Sequence, residues 1–190
     1  MAGFGNIGMQ FDLGAQAYDG EGLDNLTYAA HAFYAINPML TVGAYYGLDD
    51  WDGSNDWDYY GIEAKFAPGG AASRLEIEAF VGWYEQQSST SGGNLIGLSG
   101  SYAVTGNIDL FGGYLLARWG DAGSRTDQYD VLTAGAAYTL ASGIYVAASY
   151  NTFFYPGASG DYGLQFQIGY QFGGGKVFGG RSYYTLYPGD

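Results

Sequence analysis

Residues 7–18 read IGMQFDLGAQAY, and this stretch decides the fold class because its apolar side chains stand at every second position. Those positions are Ile7, Met9, Phe11, Leu13, Ala15 and Ala17. A period of two places successive side chains on opposite faces of a β-strand, so this strand has one apolar and one polar face. Nine further segments alternate in the same way, and their apolar positions carry no charge. The chain is therefore predicted to be all-β.

The alternating segments predict ten strands joined in an up-and-down order. They span residues 6–18, 26–36, 40–48, 59–66, 75–85, 95–104, 108–119, 130–140, 144–153 and 162–172. Most connections after even-numbered strands are tight, Pro- or Gly-containing turns, whereas those after odd-numbered strands are longer and polar. The strand lengths straddle the ~9–11 residues that a tilted strand needs to cross a bilayer core. We expect an antiparallel up-and-down β-barrel of about ten strands, with eight as the alternative count.

The composition distinguishes a membrane barrel from a soluble one. The 190 residues include 34 Gly, 20 Tyr and no Cys, and only 13% are charged, against about 25% in a soluble domain. In a soluble barrel the polar face would meet water, and a soluble surface carries roughly 25–35% charged residues. That face holds few ionisable side chains and is rich in Gly, Gln, Thr, Ala, Ser and Tyr. The pattern predicts that the apolar face meets lipid and the polar face lines a narrow lumen.

Aromatic residues recur near the ends of the strands that run toward the short turns. They are Tyr34, Phe66, Tyr102, Tyr138, Tyr170 and Phe172. Amphipathic rings at one height on alternate strands are typical of an interfacial girdle at the lipid headgroups. Tyr46 and Trp83 are candidates for the opposite belt.

The chain resembles the bacterial outer-membrane β-barrel proteins, in particular the small porin-like group, over residues 6–172. The resemblance rests on the up-and-down pattern, on turns such as the one at residues 36–40, and on the segment 164–172, LQFQIGYQF. That segment is similar to the family's terminal insertion signal, which the barrel assembly machinery reads. The resemblance implies a bacterial outer membrane location, with long loops extracellular, both termini periplasmic, and outer-membrane lipid and lipopolysaccharide as surroundings.

The chain divides into a barrel over residues 1–172 and a Gly-rich, aromatic periplasmic tail over residues 173–190. The tail follows the insertion-like segment, which usually ends the chain in the family. Three roles are open for it: folding into the lumen as a plug, docking on a periplasmic partner, or trailing freely. Small outward residues such as Ala32, Gly100 and Ala134 would let barrels pack side by side as a homo-oligomer.

Ionisable side chains mark the predicted lumen. They are Asp12, His31, Glu63, Lys65, Glu76, Glu78 and Asp109, with Tyr45 beside His31. Symmetric pairing about residue 70 places Lys65 opposite Glu76 and Glu63 opposite Glu78. Such groups either hold a barrel round or form a selectivity constriction. His31, with Asp12 nearby, is interpreted as a hydrogen-bonded lumen histidine, because no inward serine stands beside it to form a nucleophilic pair.

Acidic residues dominate the long-loop rim of a chain whose net charge is −13. Solubility of the surface loops and a cation-concentrating vestibule are both consistent with that placement. Within the rim, residues 50–58 repeat Asp-Trp-Asp, so Asp50, Asp52, Asp56 and Asp58 are candidate ligands for weakly bound Ca²⁺. The acidic sign excludes a nucleic-acid footprint, and no other cofactor is indicated.

The sequence therefore favours a small passive porin-like channel with a narrow lumen and a preference for cations. The alternative is a closed structural or interaction barrel whose outer loops or tail bind a partner. A lipid-modifying barrel enzyme is the third class, and it is disfavoured because no nucleophile and base emerge as a pair.

Overall fold

A computed structural model describes residues 6–16, 25–51, 56–87, 92–119, 128–141, 144–154 and 161–170. These residues form ten strands and one short 3-10 turn, Gly70–Ala72. The strands are β1 (Ile7–Gln16), β2 (Asn25–Asn37), β3 (Leu40–Trp51), β4 (Trp57–Phe66), β5 (Leu75–Gln86), β6 (Gly92–Ala103), β7 (Ile108–Trp119), β8 (Gln128–Thr139), β9 (Ile144–Phe154) and β10 (Asp161–Tyr170). All ten predicted strands are confirmed, with ends that differ by up to three residues.

The ten strands form one antiparallel sheet in the order β1 to β10, so every strand pairs with its neighbours in the chain. This confirms the predicted up-and-down topology and the count of ten instead of eight. The first and last strands, β1 and β10, approach each other, with Cα atoms within 8 Å. Among the described residues, hydrogen-bonded ladders join consecutive strands only.

The two faces of the sheet have opposite character, as the alternation predicts. Large apolar side chains on the outward face are solvent-exposed, from 37% for Tyr60 to 75% for Tyr162. The inward face holds the buried residues, including the charged ones, such as His31, Asp49 and Glu63. No helix among the described residues is long and apolar enough to cross a membrane.

The inner face divides into two halves, which we call the long-loop half and the short-turn half after the connections at each end. Buried aromatic and aliphatic side chains fill the long-loop half. They are Trp57, Tyr59, Tyr84, Leu95, Leu115, Ala117, Val131 and Phe153, with Tyr45 and Ala29 at the border. Their exposure does not exceed 8%. The short-turn half holds smaller and more polar residues, including Glu78, Lys65, Ser99 and Ser101.

Glycines on the inner face are covered by aromatic rings from neighbouring strands. The directly opposite pairs are Gly8 with Phe33, Gly47 with Tyr59, Gly61 with Tyr45, Gly93 with Tyr84, Gly97 with Phe80 and Gly135 with Phe111. A Cβ atom added at five of these glycines would collide with the ring that covers it, and one added at Gly61 would collide with the Tyr45 hydroxyl and the Val81 carbonyl oxygen. This interlocking assigns a packing role to six of the 34 glycines. It also fills space that these glycines would otherwise leave on the inner face of the sheet.

Candidate functional site: the polar interior

A bridge of three ionisable side chains, two of them buried and one partly buried, lies on the inner face where the two halves meet. His31 Nδ1 lies 2.7 Å from Glu63 Oε1, and His31 Nε2 lies 3.1 Å from Asp12 Oδ2. His31 is 1% exposed and Glu63 is 4% exposed. The Gln10 side-chain amide donates to both carboxylate oxygens of Asp12 at 3.0 Å. We call Asp12, His31 and Glu63 the histidine bridge.

Three strands position the histidine bridge. Asp12 lies on β1, His31 on β2 and Glu63 on β4, so the contact between His31 and Glu63 passes over β3. At this height β3 contributes Gly43, directly opposite Glu63, and Tyr45, directly opposite His31. Adjacent strands lie about 4.8 Å apart, so side chains from β2 and β4 meet when the strand between them presents glycine.

The histidine bridge occupies both ring nitrogens of His31. In the doubly protonated imidazole both N–H groups donate, and this form satisfies both carboxylates. A general base needs one ring nitrogen directed at the proton that it removes. The observed geometry instead suits a role in holding strands together.

The contacts of His31 were predicted in part. Asp12 and Tyr45 lie beside it as expected, with the His31 and Tyr45 ring centroids 6.1 Å apart. Glu63 was not expected there, since it was placed opposite Glu78. That pairing is wrong: Glu63 stands opposite Phe80, and Glu78 stands opposite Lys65.

The register error has a local cause in the β4–β5 connection. The 3-10 turn Gly70–Ala72, with Gly70 at φ +60, moves the centre of the hairpin one residue toward the C-terminus. A shift of one residue in the centre changes the pairing by two residues, which leaves every side chain on its predicted face.

An ion pair lies nearer the short turns. Lys65 Nζ is 3.1 Å from Glu76 Oε2, so the predicted contact is present, although it is diagonal and not directly across the ladder. Glu78, directly opposite Lys65, is 8% exposed. Asp109 lies on β7 opposite Ala103 and Ala137, separated in the sheet from β5 by β6. The acidic residues of the short-turn half thus lie in two separate regions of the sheet.

Two polar pairs in the long-loop half were missed by sequence analysis. Thr27 donates to Asp49 at 2.6 Å, and Thr133 donates to Asn151 at 2.7 Å. The two residues of each pair stand directly opposite each other on adjacent strands. The sequence feature that could have predicted them is an inward polar residue on each of two neighbouring strands. Each bond gives one acceptor oxygen a donor, which lowers the cost of placing that oxygen among apolar side chains.

The predicted aromatic girdle is outward and exposed at four of its positions. Tyr34, Phe66, Tyr102 and Tyr138 are 43–48% exposed and lie near the short turns. The side chains of Tyr170 and Phe172 lie outside the described part of the chain.

A second aromatic belt lies toward the long loops. Tyr60 and Trp83 stack with ring centroids 6.1 Å apart, and Tyr46 stands opposite Tyr60. The hydroxyls of Tyr46 and Tyr60 donate to Asp58 and Glu85 at 2.5 and 2.9 Å, respectively. Asp58 therefore accepts a hydrogen bond from Tyr46 of this second belt.

The calcium hypothesis stays a prediction. Asp52 lies outside the described residues, and Asp50, Asp56 and Asp58 lie in or next to strands β3 and β4. Within the described ranges, no three His, Cys, Asp or Glu side chains are grouped to hold a metal ion.

Comparison of the chain with protein-family models and with curated proteins finds no match. The tail over residues 173–190 lies outside the described part of the chain.

Proposed function

We propose that this chain is an integral β-barrel of a bacterial outer membrane. The observation that carries the proposal is the outward face, where exposed Ile, Leu, Val, Met and aromatic side chains run across all ten strands. Large contiguous apolar surfaces are rare on soluble monomers. An apolar band flanked by aromatic rings at both ends is the surface that suits a lipid bilayer.

Closure of the sheet into a barrel is part of the proposal, and the stagger of the ladders supports it. The directly opposite partners of Ile7, followed through nine ladders, lead to Tyr162. Without stagger the path would end at Tyr170, at the other end of β10. The path therefore shifts by eight residues, or about 26 Å along the strand direction, while it crosses nine inter-strand spacings of about 4.8 Å each. This ratio corresponds to a strand tilt of roughly 30°. Barrels close with strand tilts of about 35–45°.

Within this class, the interior favours a closed barrel that serves a structural or interaction role. The long-loop half is packed with buried aromatic and aliphatic side chains, and a ring lies over each of six inward glycines. A water-filled path would have to displace them. The outer loops and the tail are then the regions for binding a partner.

A narrow cation-preferring channel is the second candidate. Glu63, Glu78 and Asp109 give the inner face an acidic character toward the short turns, which would attract cations if a path were open. Single-channel recording in a planar bilayer under a KCl gradient separates the two candidates. A barrel with a filled interior passes no current, whereas discrete current steps with a reversal potential toward that of K⁺ would favour the channel.

Membrane insertion itself is tested by refolding the full chain with phospholipid vesicles and floating the vesicles after a urea wash. We expect the protein to float with the lipid and to resist added protease. The matched variants are Leu98→Arg on the outward face and Ser99→Arg on the inward face. The outward variant should insert poorly, since Arg on the lipid face costs about 2–4 kcal/mol at the midplane. Equal insertion of both variants, or recovery of the native chain in the soluble fraction, would contradict the proposal.

A further inference from the structure

The residue pattern of strand β1 does not by itself determine the register in which β1 pairs with β2. Its outward side chains Ile7, Met9, Phe11 and Leu13 are all apolar and 58–64% exposed. A slip of two residues keeps every side chain on its own face, so the alternation does not oppose it. Among the described residues, β1 forms a ladder only with β2. The register must therefore be held by specific side-chain contacts.

The histidine bridge opposes a slip in one direction. Asp12 stands directly opposite Ala29 and reaches diagonally to His31. A slip that brings Asp12 opposite Thr27 separates it from His31 by four positions along the strand, or about 13 Å. The contact would be lost: His31 would stay with Glu63, and Asp12 would remain on the inner face without His31 as its partner.

The fit of Phe33 over Gly8 opposes a slip in the other direction. Gly8 stands directly opposite Phe33, and a Cβ atom at Gly8 would collide with the phenyl ring. The opposite slip brings Gln10 across from Phe33, where its Cβ would meet that ring. The same slip places Asp12 opposite His31, so the histidine bridge alone would not prevent it.

We infer that the histidine bridge, acting together with the Gly8–Phe33 contact, fixes the register of β1 on β2. Buried ionic groups contribute little net stability compared with apolar packing, and the specification of register is their best-attested role. In a closed wall, a two-residue slip of β1 changes the stagger by two residues and with it the strand tilt. Only this last consequence rests on the proposed function.

Cysteine pairs on the outward face report the register directly, because the chain contains no cysteine. Met9→Cys is combined with Ala32→Cys for the native pairing, with Ala30→Cys for the slip that breaks the histidine bridge, and with Tyr34→Cys for the opposite slip. Directly opposite residues have Cβ atoms about 4.5–5.5 Å apart, whereas diagonal ones are farther apart, so disulfide yield follows the register. The refolded full chain is oxidised in detergent micelles.

In the native background we expect the Met9–Ala32 pair to dominate. Asp12→Ala should raise the ratio of the Met9–Ala30 disulfide to the native one by about tenfold or more, since a lost charge-assisted hydrogen bond changes a population by at least that factor. Phe33→Ala should instead raise the Met9–Tyr34 product. Asp12→Asn, which keeps an acceptor oxygen for His31, should restore most of the native ratio. Glu76→Gln breaks the ion pair with Lys65 and should change none of the ratios.

An unchanged ratio in folded Asp12→Ala, or a shift toward Tyr34, would overturn the inference. If Asp12→Ala does not fold, Asp12→Leu, which also removes both carboxylate oxygens, gives the same test: a shift toward Ala30 is expected, and the absence of a shift would overturn the inference. Vesicle flotation reports on the membrane proposal separately. A register shift in a protein that fails to float would overturn the proposed function and leave the register assignment standing.

Discussion

The two halves of the inner face are built from the same alternating pattern, yet they differ in how their side chains fill space. In the long-loop half, Tyr84 is fully buried and its hydroxyl donates to the Arg118 carbonyl oxygen at 3.0 Å. In the short-turn half, Phe111 is only partly buried, although its ring also covers a glycine. The histidine bridge lies where the two halves meet. Period-two alternation therefore specifies which face is inward, and the residues that surround each ring specify how completely that face is filled.

The largest effect is expected from truncating an aromatic ring in the packed half. Tyr84→Ala should lower the free energy of unfolding by about 3–5 kcal/mol, because it leaves a cavity and an uncovered glycine. Phe111→Ala should cost clearly less, since its ring is already partly exposed. Urea unfolding in micelles, followed by tryptophan fluorescence, measures both. Equal losses would remove the distinction between the halves.

Removing one member of the histidine bridge should cost nearly as much. Glu63→Ala leaves the Nδ1 atom of the buried His31 without its carboxylate partner, and breaking a buried ionic group of this kind typically costs about 3–5 kcal/mol. Asp109→Ala on the same face is the matched control and should have a much smaller effect. The same urea titration measures both variants. A smaller loss of unfolding free energy for Glu63→Ala than for Asp109→Ala would argue against a structural role for the histidine bridge.

A methyl group placed beneath a ring should have an intermediate effect. Gly47→Ala puts a Cβ atom into the Tyr59 ring, and overpacking of this kind costs about 1–3 kcal/mol. Gly106→Ala is the control, because no heavy atom lies within 4 Å of the added Cβ there. A Gly47→Ala protein as stable as the control would show that the rings are not tightly held.

The smallest effect is expected at the ion pair of the short-turn half. Lys65→Met removes its contact with Glu76, whose side chain is 40% exposed, and such pairs contribute about 0–1 kcal/mol. Unfolding in 0.1 and 1 M NaCl measures the pair, since salt should reduce the difference between Lys65→Met and the native chain. A larger loss in the free energy of unfolding that does not change with salt would show that this ion pair stabilises the sheet as strongly as the histidine bridge does.

The sequence predicted the sheet well because each strand carries its own alternation. It predicted the faces, the count of ten and the outward aromatic belt, since these follow from residue type and parity alone. It did not predict that His31 contacts Glu63, because that contact depends on the register of two hairpins. The unusual geometry of the Gly70–Ala72 turn decided one register, and no local pattern in the strands reports it.

The packing of the interior was likewise beyond the sequence pattern. Inward glycines such as Gly47, Gly61 and Gly97 have no side chain of their own to fill the interior. The structure places a neighbouring ring over each of them. Whether an inward glycine opens space or accepts a ring depends on the residue directly opposite, and therefore on the register.

In the proposed membrane barrel, the outward face contacts lipid while the inward face does not. Leu98→Cys and Ser99→Cys, adjacent on β6, would each be labelled with an environment-sensitive fluorophore after refolding into vesicles. Spin-labelled lipid should quench the fluorophore at position 98 strongly and that at position 99 weakly, with aqueous iodide unable to reach position 98. Quenching of position 98 by iodide and not by lipid would contradict the claim.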